Sequence, residues 1–386
     1  MLLAICNPPF AIRNPPSAIR SEPITDYGSP ITDYLQPATM PTPLLSVSNL
    51  KTYFKLDEGV VKAVDGVSFD VRPGQVLGIV GESGCGKSVT IKSVLRIVPP
   101  PGSVVGGEIL YWPQKQDSYQ ASGSNGAVDL AKLDARGKEM RSMRGSEIAL
   151  IPQEPMASFS PVHTIGNQLI EAIRLHQNVS KKEAAAMAIE RMHEVGVPSP
   201  EQRMNAYSWE MSGGLRQRAM IAMALSCNPS LLIADEPTTA IDVTTQAQVL
   251  SLLKRLQETH NMAIIFITHD LGVIAQMADY VIVMYLGRVM ESGPSDEIFH
   301  TPQHPYTKAL LESIPTVHSA SRTFLPTIAG SIPHPFNRPP GCPYFPRCVE
   351  YMPGVCDQKT PAIQPITPKQ SASCFLYSDA TDDGEL

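Results

Sequence analysis

The chain has 386 residues, of which 43% are hydrophobic and 18% charged, so wholesale disorder is excluded and there is room for one large domain or two smaller ones. Its formal net charge of −6, without a long run of Lys or Arg, argues against nucleic acid as the main partner, because neutralising phosphates needs clustered cations. No apolar stretch approaches the roughly 18–20 residues that span a bilayer, so we expect a cytosolic chain with at most a peripheral membrane role.

The first 39 residues differ from the rest of the chain. The segment Asn7–Arg13 is repeated almost unchanged as Asn14–Arg20. Likewise, Pro23–Tyr27 recurs as Pro30–Tyr34, so both Pro-rich repeats have a period of seven residues. Such segments cannot form a regular helix or an inner strand. We predict a disordered extension over 1–39, and we hypothesise that it is a translated tandem DNA repeat with Met40 as the true start.

From Leu44 onward, the sequence alternates between strand and helix patterns. We expect strands at Leu44–Tyr53, Val67–Val71, Val76–Val80, Leu231–Ala234, Ala263–Thr268 and Tyr280–Leu286, and helices from Lys87, over most of 163–207 and around Thr245–Leu256. This alternation predicts a parallel, doubly wound α/β sheet. Residues 112–128 are polar and predict a surface loop. After Pro294 the chain becomes rich in Pro, which marks the start of a smaller appended region.

The clearest chemical signal is a phosphate-binding loop between a predicted strand and a predicted helix. The segment Gly81-Glu82-Ser83-Gly84-Cys85-Gly86-Lys87-Ser88 fits the pattern G-x-x-x-x-G-K-[ST] without a mismatch. Its glycines allow the backbone N–H groups to point at phosphate oxygens, and the helix N-terminus adds partial positive charge. We expect Lys87 to reach the β- and γ-phosphates and Ser88 to ligate Mg²⁺. Cys85 is interpreted as a small buried residue rather than a nucleophile.

A second acidic element follows the strand Leu231–Ala234, which ends in two adjacent carboxylates. Asp235 is expected to hold Mg²⁺, directly or through water, and Glu236 could polarise the attacking water. An Asp-Glu pair at the end of a strand could instead cap a helix. The phosphate loop upstream favours the nucleotide interpretation.

Several further motifs resemble those of ATP-binding cassette (ABC) ATPases over roughly residues 44–293. Met211-Ser212-Gly213-Gly214-Leu215 resembles the signature motif, with Met and Leu departing from its usual residues. Gln153 resembles the Q-loop glutamine, Ala240-Ile241-Asp242 the D-loop, and His269 the H-loop histidine. Phe54 stands where that family places an aromatic ring that stacks on adenine, with Tyr53 as its rival.

The resemblance implies a fold and a division of roles. It implies a P-loop NTPase of ABC type, with a parallel-sheet core, an antiparallel β subdomain and a helical subdomain at about 156–210, all within 40–293. Two such domains would pair head to tail, so that Ser212, Gly213 and Gly214 of one chain face the γ-phosphate held by the other. Glu236 would act as base or water orienter, Gln153 would contact Mg²⁺ or the attacking water, and His269 would touch the γ-phosphate.

The region 294–386 resembles one branch of that family. His304-Pro305-Tyr306-Thr307 with Leu310-Leu311 is similar to a stretch of dipeptide, oligopeptide and nickel importer ATPases. The spacing of Cys342, Cys348, Cys356 and Cys374 also resembles that family's tail, where four cysteines are taken to hold an iron–sulfur cluster. Four thiolates suit either [4Fe–4S] or Zn²⁺. Zinc sites usually have closer cysteine pairs, and a site without metal stays open.

The resemblance therefore implies ATP hydrolysis that energises the import of dipeptides, oligopeptides or nickel. The implied partners are two membrane permeases, a second related ATPase (a heterodimer, with a homodimer as the alternative) and an extracytoplasmic solute-binding protein. The implied location is the cytoplasmic face of the membrane. The alternative is a non-transport ABC ATPase. The single set of motifs disfavours the DNA-repair type, and the iron–sulfur assembly type stays open.

Overall fold

The computed structural model describes residues 42–115, 126–154, 158–239, 241–314, 328 and 330–377. The predictions for residues 1–39 and for most of the 112–128 loop lie outside these residues, as does Ala240. The strands are β1 (Leu45–Leu56), β2 (Gly59–Val71), β3 (Val76–Val80), β4 (Gly102–Tyr111), β5 (Val128–Asp129), β6 (Ile148–Ile151), β7 (Leu231–Asp235), β8 (Ala263–Ile267), β9 (Tyr280–Tyr285), β10 (Arg288–Pro294), β11 (Gln364–Pro365) and β12 (Ser371–Ala372). The helices are α1 (Lys87–Val94), α2 (Lys138–Ser146), α3 (Ile165–His176), α4 (Lys181–Glu194), α5 (Pro200–Arg203), α6 (Gly213–Leu225), α7 (Val243–His260), α8 (Leu271–Met277), α9 (Ser295–His300) and α10 (Pro305–Glu312).

The core is a mixed sheet in the order β11-β12-β10-β9-β3-β8-β7-β6. Strands β9, β3, β8, β7 and β6 are parallel neighbours, and every residue of β3, β7 and β8 is buried. Strands covered on both faces read as continuous apolar runs, which is why these segments could be predicted from sequence. Their parallel arrangement brings the carboxyl ends of β3, β7 and β8 to one edge of the sheet.

A second sheet is antiparallel, in the order β2-β1-β4-β5. β1 pairs along its length with β2 and with β4. The segment Val67–Val71, predicted as a short strand, is the end of the longer β2. The predicted antiparallel β subdomain is thus confirmed.

The predicted helical subdomain contains α3, α4 and α5. Thr164 caps α3 by accepting a hydrogen bond from the N–H of Asn167, and Ser180 and Glu183 form a reciprocal capping box at the start of α4. The buried faces of α3 and α4 pack into the same hydrophobic cluster as α6. No helix within the described ranges combines the length and apolar character needed to cross a bilayer.

The C-terminal region completes the core sheet instead of standing beside it. β12 pairs antiparallel with β10, where Glu291 is opposite Ala372 and Ser292 opposite Ser371. A second connection lies at the antiparallel sheet, where Arg338 donates to the Asp65 carboxylate at 2.8 Å. This region therefore contributes contacts to both sheets.

Candidate nucleotide site

The phosphate loop connects the buried strand β3 to α1 by a turn that requires glycine. Gly81 has φ = +147° and Gly86 has φ = +104°, both in the region that disfavours side chains. A Cβ on Gly86 would also overlap the carbonyl oxygen of Ala63. The loop is consequently packed directly against the backbone of β2.

Backbone carbonyl groups of the phosphate loop hold the side chain of Lys87. Its Nζ donates to the carbonyl oxygens of Gly81 at 2.7 Å and Glu82 at 3.1 Å, and the side chain is buried. The Sγ of Cys85 lies 3.8 Å from the same nitrogen. Burial raises the pKa of the Cys85 thiol, which keeps it protonated and unreactive near neutral pH.

Ser88 and Asp235 bring a hydroxyl and a carboxylate together at the carboxyl edge of the sheet. The Ser88 Oγ donates to Asp235 Oδ1 at 3.0 Å, and Asp235 is buried at the end of β7. Burial and the neighbouring Glu236 charge raise the pKa of Asp235, although the Ser88 hydrogen bond opposes them. Within the part of the chain that the structure describes, Asp235 forms no ion pair. A buried carboxylate in that state suits a hard cation, and oxygen ligands are those that Mg²⁺ prefers. The residues present therefore fit a magnesium ion.

Glu236 is the centre of the predicted catalytic group. Its Oε2 accepts from Gln153 Nε2 at 3.0 Å and from Thr239 Oγ1 at 3.1 Å, and His269 Nδ1 lies 3.2 Å from its Oε1. Burial acts to raise the pKa of Glu236, but the hydrogen bonds and charge of these neighbours lower it overall. The carboxylate is thus ionised at neutral pH and able to accept a proton. Thr239 was not singled out from the sequence.

The signature segment lies elsewhere on the chain. Ser212 caps α6 by accepting from the Leu215 N–H, and it is exposed, as is Gly213. A Cβ on Gly214 would come within 2.9 Å of Thr245 in α7. Among the described residues, no hydrogen bond or ion pair joins Ser212 to the phosphate loop. Ser212 and Gly213 are therefore accessible from solvent.

The two aromatic candidates for adenine differ in what their side chains contact. Tyr53 donates its hydroxyl to Asp65 at 2.7 Å, and burial together with this hydrogen bond raises the pKa of Tyr53 to about 12. Phe54 lies beside Gly102, where an added Cβ would come within 2.5 Å of its ring. The preference for Phe54 over Tyr53 as the ring that stacks on adenine stays a prediction.

The four C-terminal cysteines are free thiols with mutual electrostatic contacts. Burial raises the pKa of Cys342 to about 12 and of Cys348 to about 11, and the charges of the other cysteines act in the same direction. Among the described residues, no group of three or more His, Cys, Asp or Glu side chains is arranged to hold a metal ion.

Contacts from the C-terminal region to the phosphate loop were missed by the sequence analysis. The Glu82 N–H donates to Tyr306 Oη at 3.0 Å, and Arg347 binds the Glu82 carboxylate with two hydrogen bonds of 2.7 and 3.0 Å. The sequence flagged Tyr306 only through its motif. No local signal pointed to Arg347.

Known proteins resemble this chain over most of its length. Residues 64–239 match the family described as ABC transporter, and residues 290–356 match the oligopeptide/dipeptide transporter C-terminal region. The chain is 46% identical to a probable peptide ABC transporter ATP-binding protein of Sinorhizobium fredii, over 88% of this chain and 96% of the relative. It is 44% identical to the dipeptide transport ATP-binding protein DppD of Bacillus subtilis, over 89% of this chain and 97% of the relative.

Solved structures share the fold. A dimeric ATP-binding cassette in a post-hydrolysis state with ADP and Pi superposes with a TM-score of 0.55 at 23% identity, over 65% of this chain and 98% of the cassette. The predicted fold class is confirmed.

Proposed function

Because this chain belongs to the ABC transporter family of ATP-binding subunits, and to its branch with an oligopeptide/dipeptide transporter C-terminal region, we propose that it hydrolyses ATP to energise the import of peptides across a membrane. The observation that carries the reaction is the Glu236 carboxylate, held by Gln153 and His269 beside Asp235. The peptide and dipeptide transport descriptions of its relatives favour peptides over nickel as the cargo.

The residues divide the reaction between holding the triphosphate and activating water. Lys87 and the loop N–H groups bind the β- and γ-phosphates, and Ser88 and Asp235 hold Mg²⁺. When bound, Mg²⁺ neutralises charge on the phosphate oxygens. The ionised Glu236 orients a water molecule and accepts its proton, while Gln153 and His269 keep the carboxylate aligned.

The site needs a second chain to be complete. The Ser212-Gly213-Gly214 segment, whose first two residues are exposed, supplies N–H groups and a hydroxyl to the γ-phosphate of a partner ATPase, which in turn caps the triphosphate in this loop. Closure of the pair excludes water and aligns the phosphate, so ATP favours the closed state over the open one. We propose a heterodimer of related ATPases beneath two permeases at the cytoplasmic face of the membrane, served by a solute-binding protein.

A metal site at Cys342, Cys348, Cys356 and Cys374 stays a separate proposal, with iron–sulfur as the favoured occupant and zinc as the alternative. Its support is the mutual electrostatic contact of the four thiols; against it stands the lack of a metal-holding arrangement among the described residues. Iron, sulfide and zinc analysis of anaerobically purified protein separates the options. About four irons per chain would support the cluster, and absence of both metals would end the proposal.

The transport function is tested by affinity purification from membranes followed by reconstitution into vesicles. We expect two permeases and a second ATPase to co-elute, and ATP to drive uptake of labelled dipeptide or oligopeptide. The matched control is the same assembly with Lys87→Ala in this chain. Equal uptake by the control assembly would refute the proposed function.

A further inference from the structure

The C-terminal region forms hydrogen bonds with Glu82 of the phosphate loop. Three groups of this residue are engaged at once: its N–H by Tyr306 Oη, its carboxylate by Arg347, and its carbonyl by Lys87 Nζ. Tyr306 and Arg347 lie outside the cassette motifs, 224 and 265 positions after Glu82 in the sequence. Glu82 therefore connects the C-terminal region to the lysine that binds phosphate.

The side chain of Arg347 is buried and held in place by several contacts. Its side chain is 4% exposed, and its Nη1 also donates to Tyr285 Oη at 3.3 Å while its guanidinium lies 5.7 Å from the centre of the Tyr285 ring. Burial acts to lower the pKa of Arg347, but the hydrogen bonds with Glu82 and Tyr285 raise it overall, so the charge is permanent. A planar guanidinium with two parallel bonds fixes both the place and the orientation of the carboxylate.

Tyr306 is equally fixed. It is fully buried, and its ring packs against Tyr285 at 4.8 Å and Tyr344 at 5.1 Å between ring centres. Its helix begins where the His304 side chain accepts from the Tyr306 N–H, and the buried Glu291 carboxylate accepts from the N–H of His304. The hydroxyl is thus delivered to Glu82 by a rigid aromatic cluster.

We propose that Arg347 and Tyr306 are positioning residues that set the affinity of the phosphate loop for ATP. This inference rests on the proposed function of the loop. A carboxylate inside a loop that receives a triphosphate repels it unless the charge is neutralised, and Arg347 supplies the neutralising charge. Tyr306 fixes the N–H of Glu82, and with it the two carbonyl oxygens that hold Lys87.

The test is an equilibrium titration of the full-length chain with a fluorescent ATP analogue, together with its thermal unfolding midpoint. We expect Arg347→Ala to raise the Kd about tenfold, equivalent to ~1.4 kcal/mol. We expect Tyr306→Phe, which keeps the ring packing, to raise it about threefold, ~0.6 kcal/mol. In ATPase assays KM should rise while kcat stays within about twofold, because the lost contact acts on binding in the ground and transition states alike.

The rescue variant separates positioning from general stability. Glu82→Gln combined with Arg347→Ala removes both charges, so the Kd should return to within about threefold of wild type. The matched control is Arg338→Ala, which breaks another ion pair from the C-terminal region, to Asp65. It should lower the unfolding midpoint and leave the Kd within about twofold.

The inference is overturned if Arg347→Ala and Arg338→Ala have the same Kd, or if the double variant binds as weakly as Arg347→Ala. Should Arg347→Ala not fold, a wild-type Kd for Tyr306→Phe overturns it equally. A wild-type chain that binds no analogue would instead refute the proposed function itself.

Discussion

Replacing Glu236 by Gln tests the assigned chemistry without removing its surroundings. The carboxylate has two donors at Oε2, from Gln153 and Thr239, and His269 Nδ1 at Oε1. In the variant, the amide oxygen takes the place of Oε2 and keeps both donors. Its NH₂ group then faces His269 Nδ1, which accepts when the ring proton is on Nε2. The geometry is therefore retained while the ability to accept a proton is lost.

The expected effect is large on turnover and small on binding. Loss of a general base lowers kcat by about 10²- to 10⁴-fold, or ~2.7–5.5 kcal/mol in the activation free energy. The Kd for ATP should change by less than about threefold, since the triphosphate contacts stay in place. ATP should then trap the closed pair of ATPases.

The assay is steady-state phosphate release by the purified transporter at saturating ATP. If the partner is a related ATPase, its own corresponding glutamate is replaced by Gln in every sample. Phosphate release then reports only on the site that contains Glu236. Glu258→Gln in α7 makes the same charge change at an exposed position and should leave kcat within about twofold. Turnover by Glu236→Gln within about threefold of that control would refute the role of Glu236.

Three further outcomes follow from the described contacts. Lys87→Ala removes the ammonium that binds phosphate and should raise the Kd for ATP about 100-fold, ~2.7 kcal/mol, in the same fluorescence titration; an unchanged Kd would contradict the loop geometry. Gly86→Ala places a Cβ against the Ala63 carbonyl and should lower the free energy of unfolding by at least about 2 kcal/mol. Gly84→Ala, where a Cβ meets nothing within 4 Å, should cost only about 1 kcal/mol in the same denaturation experiment; equal losses would argue against the overlap. Glu194→Gln should lower the free energy of unfolding by about 1 kcal/mol at pH 7, because Glu194 pairs with Arg191 and His260. The pKa of Glu194 is lowered because these partners outweigh burial, so its contribution is present above the ordinary pKa of 4.5 and disappears as the pH falls below it; a difference between wild type and variant that persists at pH 2–3 would contradict this.

The parts of the site that could be predicted are those whose signals are local in sequence. The phosphate loop, Asp235 and Glu236 each follow a short apolar strand, and a buried strand is recognisable by its run of branched residues. Ser88 and Asp235 were each assigned to Mg²⁺ from separate motifs, and the hydrogen bond between them shows that they lie close together, at the edge where the ends of parallel strands meet.

The pairing of Glu82 with Arg347 could not be predicted, because it joins positions 265 apart through an Arg in a Pro-rich turn without periodicity. The short strands β11 and β12 escaped notice for a related reason. Segments of two residues have no strand preference of their own. β12 is a strand because it pairs with the edge of β10, and β11 is a strand because it pairs in turn with β12. Long-range pairing, unlike local pattern, leaves no mark on a single sequence.

The position of β3 between β8 and β9 has a consequence for synthesis on the ribosome. At about 5–20 residues per second, the roughly 180 residues separating β3 from β8 take on the order of 10–40 s to emerge. Throughout that interval Val76–Val80, which the finished sheet encloses completely, has neither of its neighbours. The nascent chain must keep this apolar strand from aggregating until its second half arrives, which makes β3 the natural target of a chaperone that binds polypeptides during translation.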